Sequence, residues 1–144
     1  MGGKSGGNEG RTGNIMILVD TTVWIDFFAD RDTNGTQKLL CAVNGEEDLA
    51  TCGLVMTEVL QGVREDRRFS EVKTVLQDLI YLPVDQTIFI AAAEIYRACR
   101  KKGLTIRKPV DCIIAATCIQ HSSFLLHNDR FFDAVSKIVA LRAF

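Results

Sequence analysis

Four acidic residues stand where apolar runs give way to turns or helix starts. Asp20 closes the run Ile17-Leu18-Val19 and is followed at once by Thr21, Thr22 and a helical apolar pattern. Glu58 lies in the early turns of the helix after a second apolar run. Asp111 opens a nearly all-apolar helix just behind Pro109, and Asp129 follows a third short run that ends at Leu126. Brought together, carboxylates repel by roughly 1 kcal/mol per close pair in water and several times that in a protein-like medium. A cluster of them persists if it keeps its protons or takes up a divalent cation. An all-oxygen donor set suits Mg²⁺ or Mn²⁺, ions that activate water and steady the oxygens of a phosphodiester during in-line displacement. Each acid also has a purely local explanation: Asp20 and Asp111 as helix caps, Glu58 as an exposed helix acid favoured by the helix dipole, Asp129 as a turn residue. Asp26 and Asp133, on short helices, read as solvated or capping.

Only a fold can gather residues so far apart in the chain, and the pattern of elements supplies one. Strands are expected over 15–19, 48–52 and 123–126, an extended segment over 82–84 and a last edge strand over 138–141. Between them lie helical spacings over 23–28, 36–43 and 55–63, then a charged connection over 64–68. Further helices follow over 72–80, 88–99, 112–119 and 130–135, and a polar loop over 29–35. Asp85 is a good N-cap for the long helix and Gly103 its C′ residue, after the basic turn Arg100, Lys101 and Lys102. Short strands alternating with helices predict an α/β domain with a parallel sheet covered on both faces. If the sheet is parallel, all four acids lie along its C-terminal edge, where open α/β sheets place their ligands.

Composition sets the remaining bounds. The chain has 144 residues, 47 % hydrophobic and 24 % charged, with a formal net charge of −1. That is ordinary for a globular domain and excludes a globally basic nucleic-acid binder. The longest apolar run, around 112–119, is too short to span a bilayer. Residues 1–15, rich in glycine, read as a mobile leader ahead of a natural start at Met16, and residues 16–144 as one domain. Five cysteines without a C-x-x-C pair read as small buried hydrophobes in a reducing cytoplasm. His121 and His127 lack zinc-ligand spacing.

With these residues in place, 16–144 resembles a PIN-domain ribonuclease toxin of the VapC type. The resemblance rests on I-L-V-D-T-T-V-W-I-D at the start, T-E-V-L-Q-G, I-R-K-P-V-D-C-I-I-A-A-T-C and L-L-H-N-D-R-F-F-D-A-V near the end, in that order. It implies a three-layer α/β/α sandwich around a parallel sheet of four to five strands. It also implies a cytoplasmic Mg²⁺- or Mn²⁺-dependent endoribonuclease acting on a structured RNA, tRNA first. Asp20, Glu58, Asp111 and Asp129 match the family's acidic quartet, Thr22 the hydroxyl that supports the first acid, and Asn128 the Thr or Asn beside the last.

One position departs from the pattern. Many relatives carry a further acid where this chain has Phe131, which weakens the case for a second metal more than for the first. The implied partners are a VapB-type antitoxin, which would fill an apolar groove lined by Trp24, Phe27 and Phe28 unless those rings are core, and a second copy of the chain. Arg97, Arg100, Lys101, Lys102, Arg107 and Lys108 form a basic stretch that reads as a solvated helix end or as a rim for the RNA backbone. Two other readings remain: a PIN-like module that binds RNA or a partner without cutting, and a phosphatase using Asp20 as nucleophile. The latter is disfavoured by Thr22 where that chemistry wants a second acid.

Overall fold

The computed structural model describes residues 13–144. The leader expected over 1–15 thus falls mostly, over 1–12, outside the described residues. In chain order the elements are β1 (Met16–Val19), α1 (Thr21–Phe28), α2 (Asn34–Asn44), β2 (Asp48–Thr51), α3 (Gly53–Gln61) and α4 (Asp66–Gln77). Then come β3 (Ile80–Tyr81), α5 (Gln86–Lys101), α6 (Pro109–Gln120), β4 (Phe124–Leu126) and α7 (Arg130–Ser136).

Ile17, Leu18 and Val19 are buried, as expected of an unbroken apolar run in a strand covered on both faces. β1 is central: it pairs in parallel with β2 on one side and β4 on the other, and β3 pairs in parallel beyond β2, giving the order β3-β2-β1-β4. The chain steps outward from β1 to β2 and β3, then returns across the sheet to β4. Right-handed crossovers therefore put α1 to α4 on one face and α5 and α6 on the other. The packing agrees, with α1 against α2 and α3, α3 against α4, and α5 against α6.

The helices that matter to the site start and stop for local reasons. Pro109 occupies the first turn of α6, where its missing N–H costs nothing. Asp111, Cys112 and every residue from Ile114 to Cys118 are buried, and the Thr117 hydroxyl is satisfied by the Ile113 carbonyl at 2.7 Å. Asp85 caps α5, its Oδ1 accepting the Ile88 N–H at 3.1 Å. Gly103, at φ +79°, turns the chain out of that helix, a conformation that favours glycine. Leu104 then donates back to the Cys99 carbonyl at 2.9 Å.

Four expectations need correction. Residues 66–68 belong to α4 rather than to a connection, because side chains of both signs are as compatible with an exposed helical turn as with a loop. Ile80 is in β3, not in the preceding helix: α4 has already ended, with Leu79 donating to Leu76, and Ile80 and Tyr81 are exposed on an edge strand. No strand forms over 138–141. The chain lies beside β4 only at its end, where Leu125 donates to the Arg142 carbonyl and Phe144 to the Leu125 carbonyl, both at 2.9 Å. The apolar pattern at 138–141 reflects packing, since Leu141 is buried and Ile138 and Val139 lie against the core. Of the five cysteines, four are buried but Cys41 is exposed.

Candidate active site

β1 and β4 are neighbours: β1 leads into α1 on one face of the sheet, and β4 is reached from α6 on the other. This is the point where strand order reverses, and open α/β sheets hold their ligands in the crevice at its C-terminal side. Asp20 is the first residue past β1, and its N–H donates to the Leu126 carbonyl at the end of β4 at 2.9 Å. It stands at the N-cap position of α1, yet its side chain makes no capping bond. The helix therefore does not account for the carboxylate. Only 6 % of Asp20 is exposed. Burial pushes its pKa up to about 6; the Thr21 N–H and Thr22 hydroxyl oppose the rise, and Asp111 and Glu58 add to it.

The other acids enter that field from three elements. α3 follows β2 and offers Glu58, half-buried, whose Oε1 accepts the Thr21 hydroxyl at 2.8 Å. The Thr22 hydroxyl lies 3.4 Å from Asp20 Oδ2. Asp111 is buried in the first turn of α6. Its pKa is raised chiefly by burial and then by Asp129 and Glu58, with Lys108 pulling the other way. Asp129 is the N-cap of α7, Oδ1 accepting the Phe131 N–H at 2.9 Å. All four acids thus lie toward the same edge of the sheet, Asp20 within electrostatic reach of Asp111 and Glu58, and Asp111 within reach of Asp129 and Glu58.

Two contributors escaped the sequence reading. One is Thr21: of two adjacent hydroxyls, the first reaches Glu58 and the second reaches Asp20, a division set by the turn from β1 into α1. The other is His127, whose largely buried side chain packs its ring 5.2 Å from that of Phe132. Its Nδ1 accepts the Asp129 N–H at 3.1 Å, so the proton sits on Nε2, 3.6 Å from Asp133 Oδ1. Burial lowers its pKa, and the neutral ring holds the backbone of the fourth acid. The available signal was its position two residues before that acid. Asp26 is engaged elsewhere, in an ion pair with Arg31 at 2.9 Å.

The donor chemistry fits a hard divalent cation, being carboxylate oxygen throughout. As arranged here the carboxylates share a field without closing on a point. Among the described residues no three His, Cys, Asp or Glu side chains form a group ready to hold a metal ion. Of the basic stretch, Arg107 and Lys108 border the cavity that contains Asp111 and Asp129. Arg97 lies by a different hollow between α5 and α6. Arg100, Lys101 and Lys102 are exposed at the end of α5, away from that cavity.

The family model of the PIN domain matches residues 17–138. The chain belongs to the PIN-domain family. Within that family this PIN domain is similar to a VapC ribonuclease of Mycobacterium bovis and to ribonuclease VapC11 of Mycobacterium tuberculosis. It is 35 % identical to each over 130 residues, covering 89 % of this chain and 97 % of the relative. That likeness, with the family match, places it with the VapC type.

Solved structures agree on the fold. The complex VapBC2 of Rickettsia felis bound to a promoter DNA fragment aligns with a TM-score of 0.72 at 16 % identity, over 90 % of this chain and 98 % of the other. VapC20 of Mycobacterium tuberculosis, described as a sarcin–ricin loop cleaving toxin, aligns with a TM-score of 0.66 at 16 % identity, over 88 % and 98 %.

Proposed function

We propose that this PIN domain is the toxin of a type II toxin–antitoxin pair and a Mg²⁺- or Mn²⁺-dependent endoribonuclease. The observation that carries the reading is the convergence of Asp20, Glu58, Asp111 and Asp129 at the switch point, with Asp20 held protonated up to about pH 6 by burial and by its acidic neighbours. A buried acidic cluster of this kind is a costly arrangement unless a cation offsets it. The names of the relatives, ribonucleases at 35 % identity, support the same chemistry. Asp20, Asp111, Asp129 and Glu58 would hold the cation. When bound, it would supply charge stabilisation and an activated water for attack on phosphorus. The chain's own groups do the rest: Thr21 and Thr22 orient Glu58 and Asp20, His127 fixes the backbone of Asp129, and Arg107 and Lys108 offset the acidic centre for an anionic substrate.

The substrate is a structured RNA. We take tRNA as the first candidate and the ribosomal sarcin–ricin loop, the target named for VapC20, as the second. The antitoxin's docking place is the apolar groove of about 380 Å³ between α1, α3 and α4, lined by Ile25, Phe28, Val59 and Val72 with Arg64 and Arg68 at its rim. Of the three aromatics expected there, Phe28 lines it. Trp24 is core, 2 % exposed, and Phe27 packs on both rings. The VapBC complexes among the structural neighbours support such a partner. A homodimer follows from the family resemblance, and sedimentation tests it. No helix among the described residues is long and apolar enough to cross a membrane.

The deciding experiment is cleavage of total tRNA and rRNA with Mg²⁺, Mn²⁺ or chelator, beside Asp111→Asn. A discrete cut that needs metal and falls at least about 100-fold in the variant, with the fold intact by circular dichroism, is expected. Full activity of Asp111→Asn would remove the assignment. Divalent binding without any cut would favour the second reading, a silent PIN-like module.

A further inference from the structure

Beside the acids lies a cavity of about 540 Å³ between the loop after α5 and the start of α7. That is the size of a small-ligand site. Asp111 and Asp129 form one end. Leu104 and Phe131 supply apolar surface, and Arg107, Lys108 and Arg130 supply positive charge. None of these three cations is in an ion pair within 4 Å among the described residues, although Lys108 is close enough to Asp111 to act on its pKa. Phe131 is half-buried, its ring set edge-on to Phe132 at 5.6 Å, and it lines the cavity. An aromatic surface, unpaired cations and a reaction centre share one hollow.

We propose that this cavity seats one unpaired nucleotide of the RNA next to the cleaved bond, its base stacked on Phe131 and its phosphate held by Arg107, Lys108 and Arg130. The assignment of RNA as ligand rests on the ribonuclease reading above. The chemistry is that of single-strand recognition: every base has a face that can stack on an aromatic ring, and cations follow the backbone. A base held there would fix which phosphodiester reaches Asp20 and Asp111, making Phe131 a residue of site selection.

The test is binding of fluorescent oligo(rA)₈ and of an abasic ribose-phosphate oligomer of the same length, in chelator so that nothing is cut. Wild type is compared with Phe131→Leu, which keeps apolar bulk without a ring, and Phe131→Tyr, which keeps the ring. Stacking predicts that Phe131→Leu weakens oligo(rA)₈ by about 5- to 150-fold, that Phe131→Tyr restores it, and that the abasic oligomer is unaffected by either. Arg107→Gln should weaken both oligomers and reduce the salt slope by about 0.7. Equal binding of oligo(rA)₈ by wild type and Phe131→Leu overturns the base pocket while leaving the nuclease reading standing. No binding of either oligomer by wild type overturns the pocket, and the metal-dependent cleavage assay decides the nuclease reading separately. Ring-dependent binding with no cleavage in the metal assay would support the pocket and sink the nuclease.

Discussion

Asp20 shows how one residue can be read wrongly in isolation and correctly in place. By type and position it is a helix cap. In the structure it holds the N-cap position, but its side chain makes no capping bond and is instead an acid whose proton is held to about pH 6, above its ordinary 3.8. The sign of the consequence follows from linkage: between those values the folded chain holds more protons than the unfolded one, so stability falls as pH rises. In chelator, the melting temperature of the wild type should therefore drop between about pH 4 and pH 6. Asp20→Asn should melt higher than wild type at pH 7, by about 3 kcal/mol at most, and the gap should close by pH 4. Calorimetry across that range checks it, and a flat difference would mean that burial of Asp20 carries no such strain. The same residue scale explains what the sequence could not reveal. Thr21 and Thr22 are chemically equivalent and adjacent, and only the turn into α1 decides that one serves Glu58 and the other Asp20. His127 looks like a turn residue until its ring is seen to accept the Asp129 N–H.

At the scale of elements, the parts with strong local signals were legible. The run into Asp20, the all-round apolar α6 behind Pro109, and α5 between Asp85 and Gly103 each carry their own start, stop and face. The misreadings fall where local chemistry is neutral or tertiary pairing decides. Ile80 has the same apolar character in an amphipathic helix as in a two-residue edge strand. The stretch 138–141 has strand composition, but the backbone that bonds to Leu125 of β4 lies just beyond it, at Arg142 and Phe144. The cap of α5 offers a clean test of the local account. Asp85→Ala removes one bond to an orphan N–H and should cost about 1 kcal/mol, measured by denaturant midpoint at unchanged slope. Cleavage should be unaffected, because the other end of α5, not this one, leads into the basic loop.

At the scale of the whole molecule, the core accounts for most of the apolar sequence and for four of the five thiols. Cys52, Cys99, Cys112 and Cys118 are buried and only Cys41 is exposed. Burial pushes the Cys112 thiol up to about 11 and raises those of Cys52, Cys99 and Cys118 too. Reaction with a thiol reagent should give one fast equivalent in the native protein and five in denaturant. More than one fast equivalent would mean that a sheet face opens on the experimental timescale.

The strand order has a further consequence, in time rather than space. β1 lies near the start of the described chain, and its partner β4 comes late, with Ile17 facing Phe124. The sheet neighbours that carry Asp20 and Asp129 cannot meet until nearly all of the chain has been made, and a pairing so distant in sequence is slow to form. An incomplete chain would have some of the acids and none of the crevice. On the ribonuclease reading proposed above, harm would be the last property acquired. A partner made alongside it would have that interval in which to arrive.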